Sequence, residues 1–263
     1  MRRLRRLVQK RSLRWSEGVC VIEGPDLVGA ALESGAPFEA IYVDADEATS
    51  PTLAALTNRA TDLGVRVFSL EKGVLEKIAD AQTPQPVLAA VRFSSKDVDA
   101  LHGQGLVLVV HGLKDPGNAG TIIRSADAAG ASAVIFTGQS VDPYNPKTLR
   151  ATAGSIFHLD VCVASLDATL AHFTSAGAQT LATVVRGGAS HRDVNFAVAT
   201  VVVIGNESEG LSAEVIAKCD RTVSIPMAGR SESLNAGVAA SLIAFEALWQ
   251  RETANSRPPT PSI

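Results

Sequence analysis

The chain has 263 residues, of which 46% are hydrophobic and 19% charged, with a formal net charge of −3. This composition supplies buried cores for one large domain or two ordinary ones and excludes general disorder. No apolar run approaches the roughly 20 residues that cross a bilayer, and the basic start is not followed by the apolar stretch of a secretion signal. Cys20, Cys162 and Cys219 match no metal or disulfide spacing. We therefore expect a protein of the reducing cytoplasm without membrane association.

The charge is unevenly distributed along the chain. Residues 1–14 contain seven arginines and lysines and no acid, so the other residues together carry −10. A basic arm on an acidic body favours contact with RNA phosphates. A solvated terminus without special function explains the same pattern equally well.

Short β-branched runs alternate with helical stretches, which predicts an α/β protein with mostly parallel strands. In the first part of the chain, strands are predicted at 19–22, 40–43, 65–68 and 87–91, and helices at 25–33, 52–62 and 71–79. We assign this small domain to residues 1–93. Residues 94–105, which are polar and contain Gly103 and Gly105, are the predicted linker.

A second series of strands is longer and more apolar. These strands are predicted at 106–110, 133–136, 160–163, 180–184, 200–204 and 222–225, followed by a helix from about 234 to 250. Near-continuous apolar runs such as 200–204 predict strands buried on both faces, as a parallel sheet requires. The second domain therefore covers residues 106–250, and the polar, proline-containing tail at 251–263 is predicted to be disordered.

The first unusual loop, at 111–124, follows a buried strand and opens a helix. Ligands in parallel sheets bind beyond the carboxyl ends of the strands, so this position is informative. Gly112 and Gly117 have the spacing of a phosphate-binding loop, but Asn118 stands where that loop needs lysine, which disfavours a nucleotide hydrolase. What remains is a helix N-terminus that could face an anion, with Arg124 inside the helix. A surface ion pair is the alternative role for Arg124.

Two later loops also follow predicted strands. The loop at 204–211 lacks the glycine spacing of a nicotinamide-binding fingerprint and places Glu207 between Gly205 and Gly210. This carboxylate could grip an arginine or a ribose hydroxyl, or it could merely favour a helix start. In the loop at 224–240, Ser231 or Ser233 is the expected N-cap of the closing helix.

Taken in order, the three loops resemble the signature motifs of one enzyme family. They read Asn-Ala-Gly-Thr-Ile-Ile-Arg at 118–124, Gly-Asn-Glu-x-x-Gly-Leu at 205–211 and Ile-Pro-Met-x-Gly-x-x-x-Ser-Leu-Asn at 225–235. This is similar to the SpoU/TrmH branch of the SPOUT methyltransferases, over about residues 106–250. The resemblance implies a homodimeric enzyme that transfers methyl from S-adenosylmethionine to an RNA ribose 2′-hydroxyl. It also implies a deep trefoil knot in the parallel-sheet domain and no required metal.

The resemblance also assigns residues to the site by matching position. Those that would hold the cofactor, largely through backbone groups, are Gly205, Ile225, Met227 and Leu234, with Thr183 as a further candidate. The catalytic positions are Arg124, Asn118, Glu207, Ser233 and Asn235. Arg124 is the family's proposed activator of the hydroxyl. Because an arginine is not expected to deprotonate, gripping the adjacent phosphate and stabilising the nascent alkoxide is the safer role.

The first domain resembles the RNA-binding substrate domain attached to many of these enzymes, on residues 21–28 and 80–91. It departs at Pro86, where relatives commonly have glycine, so a backbone donor is missing there. Relatives with this domain act mostly on large-subunit (23S) ribosomal RNA, which is therefore the expected substrate. The alternatives are a transfer RNA 2′-O-methyltransferase and a non-catalytic RNA-binding protein of the same fold. Lys147 and Arg150 could touch phosphates, or form the solvated face of a helix.

Overall fold

The computed structural model describes residues 1–78 and 84–255. The chain forms two compact units, Met1–Ser94 with Asp142–His158, and Ser95–Val141 with Leu159–Ile263. The segment Asp142–His158 thus joins the first unit, although the sequence analysis placed it within the second domain. Within the described residues, no helix has the length and apolar character needed to cross a membrane.

The first unit is built on a sheet with the strand order β1-β4-β2-β3. The strands are β1 (Val19–Glu23), β2 (Phe38–Asp44), β3 (Val67–Leu70) and β4 (Val87–Arg92). β4 runs antiparallel to both β1 and β2, and β2 and β3 are parallel. The prediction of mostly parallel strands is therefore wrong for this sheet. The run 87–91 is wholly buried because β4 is central, and a central strand has this pattern in either direction.

Helices cover this sheet, and one predicted helix is missing. They are α1 (Arg2–Gln9), α2 (Arg11–Glu17), α3 (Pro25–Glu33), α4 (Pro51–Asp62) and α6 (Pro146–Thr152). The helix predicted at 71–79 is wrong, because residues 72–78 form turns in which Gly73 has a φ of +79°. Ala79 and the start of the motif at 80–91 lie outside the described residues.

The basic start of the chain is helical and packs on the sheet. Leu4, Leu7 and Val8 are buried in the core of this unit. Arg14 is only 2% exposed, and its Nη2 lies 2.5 Å from Asp142 Oδ2. Trp15 Nε1 donates to the other carboxylate oxygen of Asp142 at 3.1 Å. The Arg14 side chain is therefore buried and cannot contact RNA. This differs from the expectation that the basic arm as a whole contacts RNA phosphates.

The second unit contains a sheet ordered β7-β6-β5-β10-β8-β11-β9 within the described residues, with every neighbouring pair parallel. Its strands are β5 (Leu106–His111), β6 (Ala133–Thr137), β7 (Asp160–Val163), β8 (Gln179–Thr183), β9 (Ala189–Ser190), β10 (Thr200–Ile204) and β11 (Arg221–Ser224). β10 is buried along its whole length, as its apolar run predicts. The predicted α/β class with a parallel sheet is confirmed, and the knot stays a prediction.

Helices of the second unit include α5 (Pro116–Ala128), α7 (Leu166–Ser175), α8 (Ala213–Ile216) and α9 (Ala236–Asn255). α5 and α9 pack against each other, and α9 also contacts β5. The predicted linker is structured in part, since Val98 and Leu101 are buried in the core with α7. α9 begins two residues later than predicted and continues past Gln250 to Asn255, so the predicted disorder does not begin at 251.

Candidate active site

A cavity of about 590 Å³ lies at the carboxyl edge of the parallel sheet. The neighbouring strands β10, β8 and β11 end at its wall, through Ile204, Thr183 and Ser224. The segments after β8 and β10, the loop between β11 and α9, and residues of α8 and α9 complete the lining. This position and volume are those of a ligand site in an open parallel sheet.

All five residues predicted to hold the cofactor line this one cavity. They are Thr183, Gly205, Ile225, Met227 and Leu234. Glu207 and Ser233, two of the predicted catalytic residues, line it as well. The structure therefore brings together seven positions that three separate segments of sequence supply.

The loop after β10 is shaped by Gly205 and Asn206. A Cβ on Gly205 would lie 2.6 Å from the carbonyl oxygen of Gly210, so no side chain fits there. Asn206 Oδ1 accepts the backbone N–H groups of Ser208 at 2.9 Å and Glu209 at 2.7 Å. The sequence analysis did not assign Asn206 a role, although asparagine followed by a glycine-ended turn is a signal for this geometry. These contacts hold Glu207 at the exit of the strand.

One continuous chain of hydrogen bonds joins three of the predicted catalytic residues. Asn118 Nδ2 donates to Glu207 Oε1 at 2.8 Å. Asn118 Oδ1 accepts from Asn235 Nδ2, also at 2.8 Å. Asn235 Oδ1 in turn accepts the backbone N–H groups of Gly237 at 2.9 Å and Val238 at 3.2 Å. The start of α5, the loop after β10 and the start of α9 are thus linked through side chains.

The two ends of this chain fix how its amides point. A carboxylate only accepts hydrogen bonds, so the Glu207 end requires the NH₂ group of Asn118. The free N–H groups at the start of α9 only donate, so they require the carbonyl oxygen of Asn235. Asn118 and Asn235 then meet in the one arrangement that satisfies both ends. The negative charge of Glu207 and the helix terminus therefore keep the middle of the chain in a single orientation.

Capping residues place Asn118 and Asn235 at helix starts. Asp115 precedes α5, and its Oδ1 accepts the backbone N–H of Asn118 at 2.7 Å. Asn235 precedes α9 and caps it, whereas Ser231 Oγ donates to the carbonyl oxygen of Ser233. The expectation that Ser231 or Ser233 caps the closing helix is therefore wrong. Asparagine is an equally good cap, and the helix starts two residues later than its apolar pattern predicted.

Arg124 lies apart from this chain of hydrogen bonds. It is six residues after Asn118 on α5, which separates their Cα atoms by about 9 Å along the helix axis. Its side chain is exposed and forms no hydrogen bond or ion pair within residues 1–78 and 84–255. The surface ion pair considered for Arg124 is therefore not formed with any described residue. Its guanidinium is available to an anion from outside the unit.

Other charged and titratable groups have separate roles. Arg186, Glu209 and Glu232 line the cavity without having been predicted. In the first unit, Arg150 pairs with Glu23 at 2.6 Å, so that arginine is not a free phosphate contact.

The histidines supply no ligand cluster. His111 Nδ1 lies 2.9 Å from Thr137 Oγ1, and burial lowers the pKa of its imidazole. His191 is buried, and its Nδ1 has no hydrogen-bond partner in the described part of the chain. Across the described residues, no group of three or more His, Cys, Asp or Glu could hold a metal ion.

Comparison with protein families matches both parts of the chain. Residues 105–245 match the model of the SpoU rRNA Methylase family. Residues 1–89 match the model described as an MRM3-like substrate binding domain. Together the two matches cover the parallel-sheet unit and most of the first unit.

Two relatives and one solved structure show the extent of the similarity. The chain is 30% identical over 225 residues to the 23S rRNA (guanosine(2553)-2′-O)-methyltransferase RlmP of Bacillus subtilis, with 86% of each chain covered. It is 32% identical over 254 residues to the 23S rRNA (uridine(2479)-2′-O)-methyltransferase of Streptomyces viridochromogenes, covering 93% of this chain and 88% of the relative. The crystal structure of the SpoU methyltransferase AviRb from Streptomyces viridochromogenes in complex with AdoMet superposes with a TM-score of 0.87 at 30% identity, covering 96% and 97% of the two chains.

Proposed function

The chain belongs to the SpoU rRNA methylase family, and we propose that it transfers a methyl group from S-adenosylmethionine to a ribose 2′-hydroxyl of large-subunit ribosomal RNA. The observation that carries the proposal is that one chain of hydrogen bonds joins the three family motifs, while the second and third of them line one cavity. A degenerate, non-catalytic relative has no reason to keep this arrangement.

The choice of RNA is supported by two relatives whose names specify 23S rRNA. They are named for different nucleotides, a guanosine and a uridine, so neither position is transferred to this protein. The match of residues 1–89 to a substrate-binding domain supports an RNA-binding role for the first unit. The proposed location is the cytoplasm, which suits three free cysteines with raised thiol pKa values caused mainly by burial.

The cavity fits S-adenosylmethionine on its own chemistry. It is large enough for a drug-sized ligand. The bare backbone at Gly205 lets a ligand approach the end of β10 where any side chain would collide with the loop. Gly205, Ile225, Met227, Leu234 and Thr183 would hold the cofactor. When bound, it supplies an electrophilic methyl group on a sulfonium.

The residues of the protein have to align the ribose hydroxyl and promote loss of its proton. Glu207 lines the cavity and accepts a hydrogen bond from Asn118, so the orientation of its carboxylate is set before any substrate binds. Such preorganisation contributes most of the rate when the electrophile is already reactive. Ser233 lines the same cavity with an exposed hydroxyl that could orient the ribose.

Arg124 is proposed to bind the RNA phosphate next to the reacting ribose. Its unpaired, exposed guanidinium can form a bidentate contact with a phosphate and stabilise a nascent alkoxide by its charge. A phosphate oxygen can take the proton, since arginine itself retains its own at ordinary pH.

The active form is proposed to be a homodimer joined through α9. Val238, Leu242, Phe245 and Trp249 are exposed and follow each other at spacings of four, three and four residues, which aligns them on one face of the helix. Trp249 is 62% exposed. An aligned apolar patch of this kind is typical of a protein interface, and it lies on the helix that Asn235 caps.

The dimer is tested by sedimentation velocity. Trp249→Glu is expected to convert a dimeric wild-type protein to a monomer, because a charge would be buried without a partner. Val198→Glu makes the same kind of change at an exposed apolar residue off α9 and is expected to leave the dimer intact. A monomeric wild type at micromolar concentration would refute the proposed assembly.

The reaction is tested by transfer of labelled methyl from S-adenosylmethionine to unmodified large-subunit ribosomal RNA and to bulk transfer RNA. Arg124→Ala is assayed beside Arg221→Ala, which removes an exposed arginine at the amino end of β11, on the opposite edge of the sheet. The expected product is a 2′-O-methyl nucleoside from ribosomal RNA, which is lost in Arg124→Ala and kept in Arg221→Ala. Methylation of transfer RNA alone would favour the alternative substrate. Cofactor binding without transfer to either RNA would favour the non-catalytic alternative.

A further inference from the structure

The outward face of α1 carries an unusual concentration of positive charge. Arg2, Arg5 and Arg6 are exposed and lie at spacings of three and four residues, opposite the buried Leu4 and Leu7. These three arginines form no hydrogen bond or ion pair among the residues that the structure describes. We call them the α1 basic face.

The neighbouring basic residues do not share this property. Arg3 pairs with Glu17 at 2.6 Å and with Glu39 at 2.7 Å. Arg14 is buried against Asp142. Some arginines of the basic start therefore form ion pairs within the unit, whereas others are exposed to solvent without a partner among the described residues.

The α1 basic face is unfavourable for the isolated protein. Like charges at spacings of three and four residues repel each other on a helix, as Arg2 does with Arg5 and Arg6. Arg2 also opposes the dipole at the start of α1, where the first turn contains no acidic residue, whereas Arg6 lies in the last turn, where the dipole favours a cation. No acidic side chain of the described first unit pairs with any of the three arginines, whereas a polyanion would attract them all.

We propose that the α1 basic face binds the phosphate backbone of the substrate RNA, as a contact that adds affinity without reading sequence. The inference rests on the proposed function. The helix belongs to the region that matches a substrate-binding domain. A lipid surface is disfavoured, because the apolar side of α1 is buried in the core and has no free face to insert. Arginine is also the side chain best matched to phosphate geometry.

The test compares the salt dependence of RNA binding for three proteins. One is the wild type, and one is the triple variant Arg2→Gln, Arg5→Gln, Arg6→Gln. The control, Arg59→Gln, Arg66→Gln, Lys72→Gln, removes the same charge from exposed positions elsewhere in the first unit. Glutamine keeps helix propensity close to that of arginine, and thermal melts check that all three proteins fold.

Binding to a large-subunit ribosomal RNA transcript is measured over a series of potassium chloride concentrations. Log K falls as log salt rises, and loss of three phosphate contacts makes this negative slope shallower by about 2 to 3. The same loss weakens RNA binding on the order of 100-fold near 0.1 M salt. In methyl transfer, KM for RNA rises while kcat at saturating RNA is unchanged. The control keeps the wild-type slope.

Two failures are distinguishable. If the wild type methylates RNA and the triple variant keeps its slope, the α1 inference is wrong and the proposed function stands. If the wild type neither binds nor methylates RNA, the proposed function fails first. An equal loss of slope in both triple variants would show a diffuse charge effect and would also overturn the assignment to α1.

Discussion

The hydrogen bond between Asn118 and Glu207 allows a quantitative test of the site. If the chain from Glu207 through Asn118 to Asn235 acts as one unit, removing either end of this bond should disrupt the same arrangement. The perturbations are Glu207→Ala, Asn118→Ala and the double variant. Effects on groups that act together are strongly non-additive, so a double-mutant cycle measures the coupling.

The expected magnitudes follow from the number and kind of bonds removed. Glu207→Ala removes one charge-assisted bond at an exposed site, worth about 1.5 kcal/mol, which is about tenfold in kcat/KM. Asn118→Ala removes two bonds, worth about 2–3 kcal/mol, or roughly 30- to 150-fold in kcat/KM. The double variant is expected to lose the same factor in kcat/KM as Asn118→Ala alone. The effect of Glu207→Ala is then absent from the double variant, which gives a coupling energy of about 1.5 kcal/mol.

The assay is methyl transfer at saturating cofactor, with cofactor binding measured separately by calorimetry because Glu207 also lines the cavity. Glu214→Ala is the matched control, since it removes an exposed glutamate of α8 that does not line the cavity and whose side chain has no partner among the described residues. Its effect should be less than twofold and should add to that of Asn118→Ala within about 0.5 kcal/mol. Additive losses for Glu207→Ala and Asn118→Ala would refute the idea that the two residues act through one another.

Three further predictions concern the loop, the first unit and the thiols. Gly205→Ala is expected to raise the cofactor Kd at least about tenfold in calorimetry, because an added Cβ would force the loop to shift. Gly229→Ala should leave the Kd unchanged, because a Cβ added there would meet no atom within 4 Å. Arg14→Met should lower the free energy of unfolding by about 3–5 kcal/mol in denaturant titrations, because it leaves the buried Asp142 carboxylate without its partner. Adding Asp142→Leu should restore most of the lost stability. If the double variant is no more stable than Arg14→Met, the loss comes from packing and not from the unpaired charge. Burial raises the pKa of the Cys20 thiol from 9.0 to about 12, so the thiol stays neutral in the folded protein. Its contribution to the free energy of unfolding is therefore full below pH 9 and is lost as the pH rises toward 12. Iodoacetamide at mildly alkaline pH should therefore label Cys20 after unfolding in urea, and rapid labelling of the native protein would contradict its burial.

Local sequence patterns were sufficient to locate most helices and strands and the loops that contain the predicted site residues. The run at 200–204 is a buried strand as its apolar pattern requires, and α3 occupies the residues predicted for it. These successes share a cause, since side-chain periodicity and a proline at a helix start act within a few residues. The ordered motifs also indicated one cavity, because loops after parallel strands meet at the same edge of a sheet.

Contacts between distant residues could not be predicted from local patterns. β4 lies between β1 and β2 and runs antiparallel to both, and its buried run is the same for either direction. The division of the basic start into a buried Arg14 and an exposed Arg2 depends on Asp142, more than a hundred residues away. The orientation of Asn118 likewise depends on partners from two separate loops. Local propensity fixes an element, whereas a hydrogen bond or ion pair between remote segments forms only when the whole fold has brought both partners together.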